Sequence, residues 1–238
     1  MAYIYEYIRT QGYQPLYLEE HCRRLEEAAR QLLSLSWHID CKELRERIAT
    51  ALREGGCSSL VANAVKVSFN SDAEVDITAE ELLYNQFSIR ALRPRICGIE
   101  VVANGSSLLK NCSAKEALLE LHRAKNLRHD NPNNSTIWIT EQDEVVAIDG
   151  APLIAVFEDE TTFSEQGNSV EFELAFNAAL TKNLNPRRGK ILLSELIRAK
   201  ELLAIDHRGI TAIESWRDHH YMDITASLIA AQIAKNEQ

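Results

Sequence analysis

Tyr5-Glu6-Tyr7-Ile8-Arg9, the turn-forming run Gln11-Gly12-Tyr13-Gln14-Pro15, and Leu18-Glu19-Glu20-His21-Cys22-Arg23-Arg24-Leu25 are the stretches on which the fold of this chain turns. Tyr3 to Arg9 alternates aromatic or aliphatic residues with others, the period of a half-buried strand. Gly12 and Pro15 punctuate the chain after it. From Leu18 onward the period changes. Leu18, Cys22, Leu25, Ala29 and Leu32 recur at helical spacing, with Glu19, Glu20, Arg23, Glu26, Glu27 and Arg30 on the remaining faces. The opening is therefore read as strand, turn, amphipathic helix. A second helix is expected from Asp40 to Arg53, capped by Asp40 and buried along Leu44, Ile48 and Leu52.

Working outward, residues 61–103 read as strands, with Val65, Val67 and Phe69 in alternation and further candidates at Phe87–Arg90 and Ile99–Val102. Asn104-Gly105-Ser106-Ser107 is the expected domain boundary. A helix is expected from Ser113 to Lys125, and a hairpin with strands at 136–140 and 144–148. A strand at 153–157, helices at 169–182 and 193–202, and a strand at 210–213 complete the reading. Strands and helices mix without a regular βαβ order, so an α+β class is expected.

The chain has 238 residues, 45% of them apolar and 26% charged, ordinary for a globular protein of one large or two small domains. Acids outnumber bases 35 to 26, for a formal charge of −9. Such a balance argues against a nucleic-acid partner. The longest apolar runs, such as Leu202-Leu203-Ala204-Ile205, fall far short of the ~20 residues of a membrane-crossing helix, so no membrane partner is expected. No secretory signal is read at the N-terminus. The five cysteines, Cys22, Cys41, Cys57, Cys97 and Cys112, show no CxxC spacing, so reduced thiols, a cytoplasmic location and no metal are expected. His219-His220, in a charged turn-like stretch, is not read as a metal site.

The strand and helix at the N-terminus resemble the opening of the fold type IV pyridoxal-phosphate enzymes, which include class IV aminotransferases and aminodeoxychorismate lyases. The resemblance extends to Lys110 and the helix after it, to the hairpin and following strand, and to Leu193-Ser194-Glu195-Leu196 through Arg208-Gly209-Ile210-Thr211-Ala212-Ile213. It implies a small N-terminal α+β domain over residues 1–104 and a larger β-barrel-like domain with helices over 105–238. It also implies an active site at their interface, usually in a homodimer. The expected substrate is a small amino or keto acid, or an amino-chorismate compound.

The resemblance also assigns roles. Lys110 stands where the family has the lysine that bonds to the cofactor aldehyde and moves a proton at the substrate α-carbon. On its own terms it could equally be a surface lysine at a helix start. Arg24 stands where the family has its phosphate-binding arginine, a guanidinium fork suited to a tetrahedral dianion. Read without the family, it is an exposed helix arginine paired with Glu20 or Glu27. Ser169 and Val170 fall at a helix start whose free N–H groups would complete the phosphate cup.

Three positions depart from the pattern. Glu171 and Asp206 place carboxylates near the expected phosphate, and a like charge at ~4 Å costs about 4 kcal/mol at an effective dielectric of ~20. Ile148 stands where the family's glutamate meets the pyridine nitrogen; Asp149, one residue on, would serve only if a bulge re-aims it. Two functional readings follow. One is an active aminotransferase or lyase with pyridoxal phosphate. The other is a degenerate homologue without cofactor, acting in binding or assembly, in which Arg24 pairs with Asp206 or Glu171. Arg208 is read as a turn residue or as a contact for a substrate carboxylate.

Overall fold

A computed structural model describes residues 3–70, 72, 74–82, 89–90, 95–101, 134–140, 142–148, 151–165 and 167–236. They fall into two compact units, and each is taken by itself.

The first unit runs in the order β1 (Tyr3–Gln11), β2 (Gln14–Pro15), α1 (Leu18–Leu33), α2 (Cys41–Glu54), β3 (Ala62–Asn70) and β4 (Val75–Glu81). The strands form one antiparallel sheet in the order β2-β1-β3-β4. In this register Ile4, Glu6 and Ile8 of β1 stand opposite Phe69, Val67 and Val65 of β3. Across the next pairing, Val65, Val67 and Phe69 meet Ala79, Ile77 and Val75 of β4. This face is covered by the apolar stripes of both helices, Leu18, Cys22, Leu25 and Ala29 from α1 and Leu44, Ile48 and Leu52 from α2. Both expected stripes are thus confirmed, apart from Leu32, whose side chain lies outside the described residues. Asp40 caps α2 as expected, accepting from the N–H groups of Lys42 at 2.8 Å and Glu43 at 3.3 Å.

The second unit contains β5 (Ile89–Arg90), β6 (Arg95–Val101), β7 (Asn134–Ile139), β8 (Val145–Ile148), β9 (Ala151–Val156), β10 (Thr161–Ser164), α3 (Val170–Thr181) and β11 (Pro186–Gly189). A 3₁₀ helix (Leu193–Arg198) follows, then β12 (Glu201–Asp206), β13 (Gly209–Ala212), β14 (Ser215–Trp216), β15 (His219–His220) and α4 (Ile224–Asn236). Its strands join in one sheet of mixed direction. β5 and β6, which precede the boundary expected at residue 104, hydrogen-bond into this sheet through β13, β14 and β7.

One face of the sheet, with Ile154, Phe163, Leu203, Ile205 and Ile210, packs against α3 and α4. The other, with Ile137, Ile148, Leu153, Leu202 and Ala204, packs around Ile191, Leu196 and Trp216. That double burial explains a difference from the helix expected over 193–202. The 3₁₀ helix ends at Arg198, and Leu202-Leu203-Ala204-Ile205 is a strand whose successive side chains enter opposite cores. A strand buried on both faces loses its period-2 signature. The expected helix at 113–125 lies outside the described residues. Among the described residues no helix is long and apolar enough to cross a membrane.

Candidate active site

Glu6 occupies the middle of the apolar row on β1, between Ile4 and Ile8 and beneath α1. A carboxylate buried there demands partners. α1 supplies two, three residues apart and therefore on one helix face. His21 Nδ1 lies 3.0 Å from Glu6 Oε1, and Arg24 Nε–H donates to the same oxygen at 3.0 Å. The side chains are 2% (His21), 18% (Arg24) and 5% (Glu6) exposed. Burial alone would raise the Glu6 pKa. The Arg24 charge and the hydrogen bonds from His21 and Arg24 outweigh it and bring the group down to about 2. Glu6 is therefore an acceptor at neutral pH, and His21 carries its proton on Nδ1.

The consequence for Arg24 is directional. Its Nε is fixed by Glu6, while neither terminal nitrogen is engaged by a described residue. A guanidinium anchored on one edge presents its two Nη groups as a preset fork for a second anion. Arg24 is neither exposed nor paired with Glu20 or Glu27; Glu27 is taken by Arg30 and Gln31 of the next turn. Glu6 and His21 are the partners that motif reading leaves out. The signal available is an acid amid an apolar strand row, followed by a His and an Arg at i, i+3 on the covering helix.

In the second unit, Ser169 is the N-cap of α3; its Oγ accepts from the N–H of Phe172 at 3.1 Å, and Val170 begins the helix. No described residue accepts from the N–H groups of Val170 or Glu171. The start of α3 is held from below. Arg188 of β11 donates to the Gly167 carbonyl at 2.8 Å, pairs with Glu173 at 2.5 Å, and lies over the rings of Phe172 and Phe176. Gly167 is required by this packing, since a Cβ there would fall 2.4 Å from the Phe172 ring. Glu171 sits in the first helical turn, 6% exposed, where a carboxylate favours the helix dipole.

Asp206 ends β12, and its charge is met two residues on. Arg208 donates from its backbone N–H at 2.9 Å, from Nε at 3.1 Å and from Nη2 at 2.5 Å. Arg208 is thus a turn residue that offsets Asp206, with Gly209 closing the hairpin at φ +123°. The ion pair of Arg24 is with Glu6 and that of Asp206 is with Arg208, not the Arg24–Asp206 or Arg24–Glu171 pairing of the degenerate reading.

Ile148 is 2% exposed and faces the apolar cluster of Ile137, Ala151 and Leu153. No acid occupies that position. Lys110 and Asp149 lie outside the described residues. His219 Nε2 lies 3.1 Å from the Ala199 carbonyl, a structural contact, and no cluster of three or more metal-ligating side chains occurs among the described residues.

Comparison with known proteins gives a consistent result. None of the curated proteins matches the chain. Among solved structures, a branched-chain aminotransferase from the archaeon Thermoproteus uzoniensis, with norvaline, superposes with a TM-score of 0.77 at 15% identity, covering 99% of this chain and 86% of that one. A provisionally assigned 4-amino-4-deoxychorismate lyase from Legionella pneumophila superposes with a TM-score of 0.73 at 14% identity, covering 92% and 85%. The PLP-bound form of a hypothetical aminotransferase from Mycobacterium tuberculosis gives 0.70 at 11% identity, covering 98% and 89%. These likenesses establish the α+β fold that the sequence suggested. The family model for class IV amino-transferases matches residues 3–215, nearly the whole chain. The protein is a member of the class IV aminotransferase family.

Proposed function

We propose that the protein is a pyridoxal-phosphate-dependent enzyme, an aminotransferase or a lyase of the aminodeoxychorismate type. Its substrate would be a small amino or keto acid or an amino-chorismate compound. The observation that carries this reading is the state of Arg24, held at Nε by an ionised, buried glutamate with its terminal nitrogens uncommitted among the described residues. That arrangement fits the phosphate of the cofactor. The N–H groups of Val170 and Glu171, with Ser169 as cap, suit the same anion. The fit is lost at the pyridine nitrogen, where Ile148 offers no proton, and Asp149 is the substitute this reading requires.

When bound, the cofactor supplies an electron-withdrawing ring conjugated to the substrate nitrogen. The chain supplies the rest. Arg24 binds and orients the phosphate, and Lys110 anchors the cofactor and carries the proton to and from the substrate α-carbon. The family relationship supports a homodimer, a division near residue 104 and a cytoplasmic location as parts of the same proposal. The non-catalytic alternative is not favoured, because the ion pairs it calls for are not the ones formed.

The test is chemical trapping. Purified protein is incubated with pyridoxal phosphate, reduced with borohydride and mapped by mass spectrometry. A pyridoxyl adduct on Lys110, absent from Lys110→Ala, is expected. No adduct at saturating cofactor would overturn the enzyme reading.

A further inference from the structure

One residue from His21, on a different side of α1, Cys22 is buried at 3% exposure among Leu18, Leu25, Leu44 and Ile48. Cys41 is the first residue of α2; it packs against the same cluster and remains partly open to solvent. The two thiols are in hydrogen-bonding contact, and burial together with that contact holds the Cys22 thiol well above the ordinary thiol range. Both are free, and the Glu6–His21–Arg24 arrangement uses neither. The third cysteine of this core, Cys57, is 9% exposed and lies just beyond the C-terminal end of α2.

We propose that Cys22 and Cys41 form a reversible redox latch between α1 and α2, closed by a hydroperoxide and opened by a thiol reductant. Cys41 is the partner that solvent reaches. Its sulfur attacks a peroxide oxygen, the O–O bond breaks, and Cys41 becomes a sulfenic acid while the departing oxygen leaves as water with the thiol proton. Cys22 sulfur then attacks Cys41 sulfur, the S–O bond breaks, and the second oxygen leaves as water with the Cys22 proton. Two thiols lose two electrons and the peroxide gains them. Two equivalents of thiol reductant return the pair to its starting state and leave as their own disulfide. Because the sulfurs already touch, closure does not require the helices to part. The bond closes a loop of roughly 20 residues and fastens α1, which carries His21 and Arg24, to α2.

The test uses full-length protein exposed to one equivalent of hydrogen peroxide, quenched with N-ethylmaleimide in denaturant and mapped with and without dithiothreitol. A joined peptide pair containing Cys22 and Cys41, lost on reduction, is expected. It should accompany a rise in Tm of roughly 5–10 °C that dithiothreitol reverses. Cys41→Ser, at a partly exposed position, should abolish both; Cys57→Ser should leave both. The proposal is overturned if Cys22 remains alkylatable after oxidation or bonds to one of the other cysteines. It is also overturned if Cys41 passes to sulfinic acid while Cys22 stays free, or if Cys41→Ser shows the same rise in Tm.

Discussion

Replacing Glu6 by Gln removes the carboxylate that His21 and Arg24 share while keeping its shape. The magnitude follows from the displaced pKa. A fall from the ordinary 4.5 to about 2 corresponds to roughly 3 kcal/mol of native-state stabilisation at neutral pH, from a side chain that is 5% exposed and hence little screened. The amide still accepts one hydrogen bond, so Glu6→Gln is expected to cost about 2–3 kcal/mol at pH 7. The sign of the pH dependence is fixed. A lowered folded-state pKa gives stabilisation that is fully present above the unfolded value near 4.5 and is lost as pH falls through about 2. The gap between wild type and variant should therefore shrink between pH 5 and pH 2. Urea unfolding at a series of pH values measures it, followed by circular dichroism and by the fluorescence of Trp37, which stacks on Phe69 at 3.8 Å in the same unit. A gap that is equal at pH 7 and pH 3, or one below ~0.5 kcal/mol at pH 7, would refute the reasoning.

Two further substitutions test how the helices are held. Both oxygens of buried Glu201 accept from the N–H of Thr225 at 2.9 Å, and the start of α4 has no acid of its own. Glu201→Ala should cost about 2–4 kcal/mol in urea unfolding and Glu201→Gln less, since the amide keeps one acceptor. Asp40→Ala should cost about 1 kcal/mol by loss of the α2 cap, and Asp40→Asn should restore most of it.

The N-terminal unit was open to reading because its periods are clean. The α1 and α2 stripes and the alternation at Val65, Val67 and Phe69 each bury one face, and Asp40 stands where a cap belongs. β12 was not, since a strand buried on both sides carries four apolar residues in a row and no period at all. At the candidate site, the position of Arg24 and the cap at Ser169 could be read from motif and local chemistry. The partner of Arg24 could not, because Glu6 reaches it across the strand–helix interface, 18 residues away in sequence. The carboxylate of Asp206 looked like an obstacle to an anion. Its neutralisation by Arg208 is a property of the turn between β12 and β13, visible only once the backbone closes that hairpin.

The central claim is that Glu6 and His21 hold Arg24 as an anchor for a phosphate group. The most direct measurement is the affinity of wild type and Arg24→Ala for pyridoxal phosphate and for pyridoxal, which lacks the phosphate, by spectroscopic titration. Wild type should prefer the phosphorylated compound, and Arg24→Ala should lose ~10–100-fold of that preference while its weak affinity for pyridoxal stays unchanged. A preference that survives Arg24→Ala intact would contradict the account.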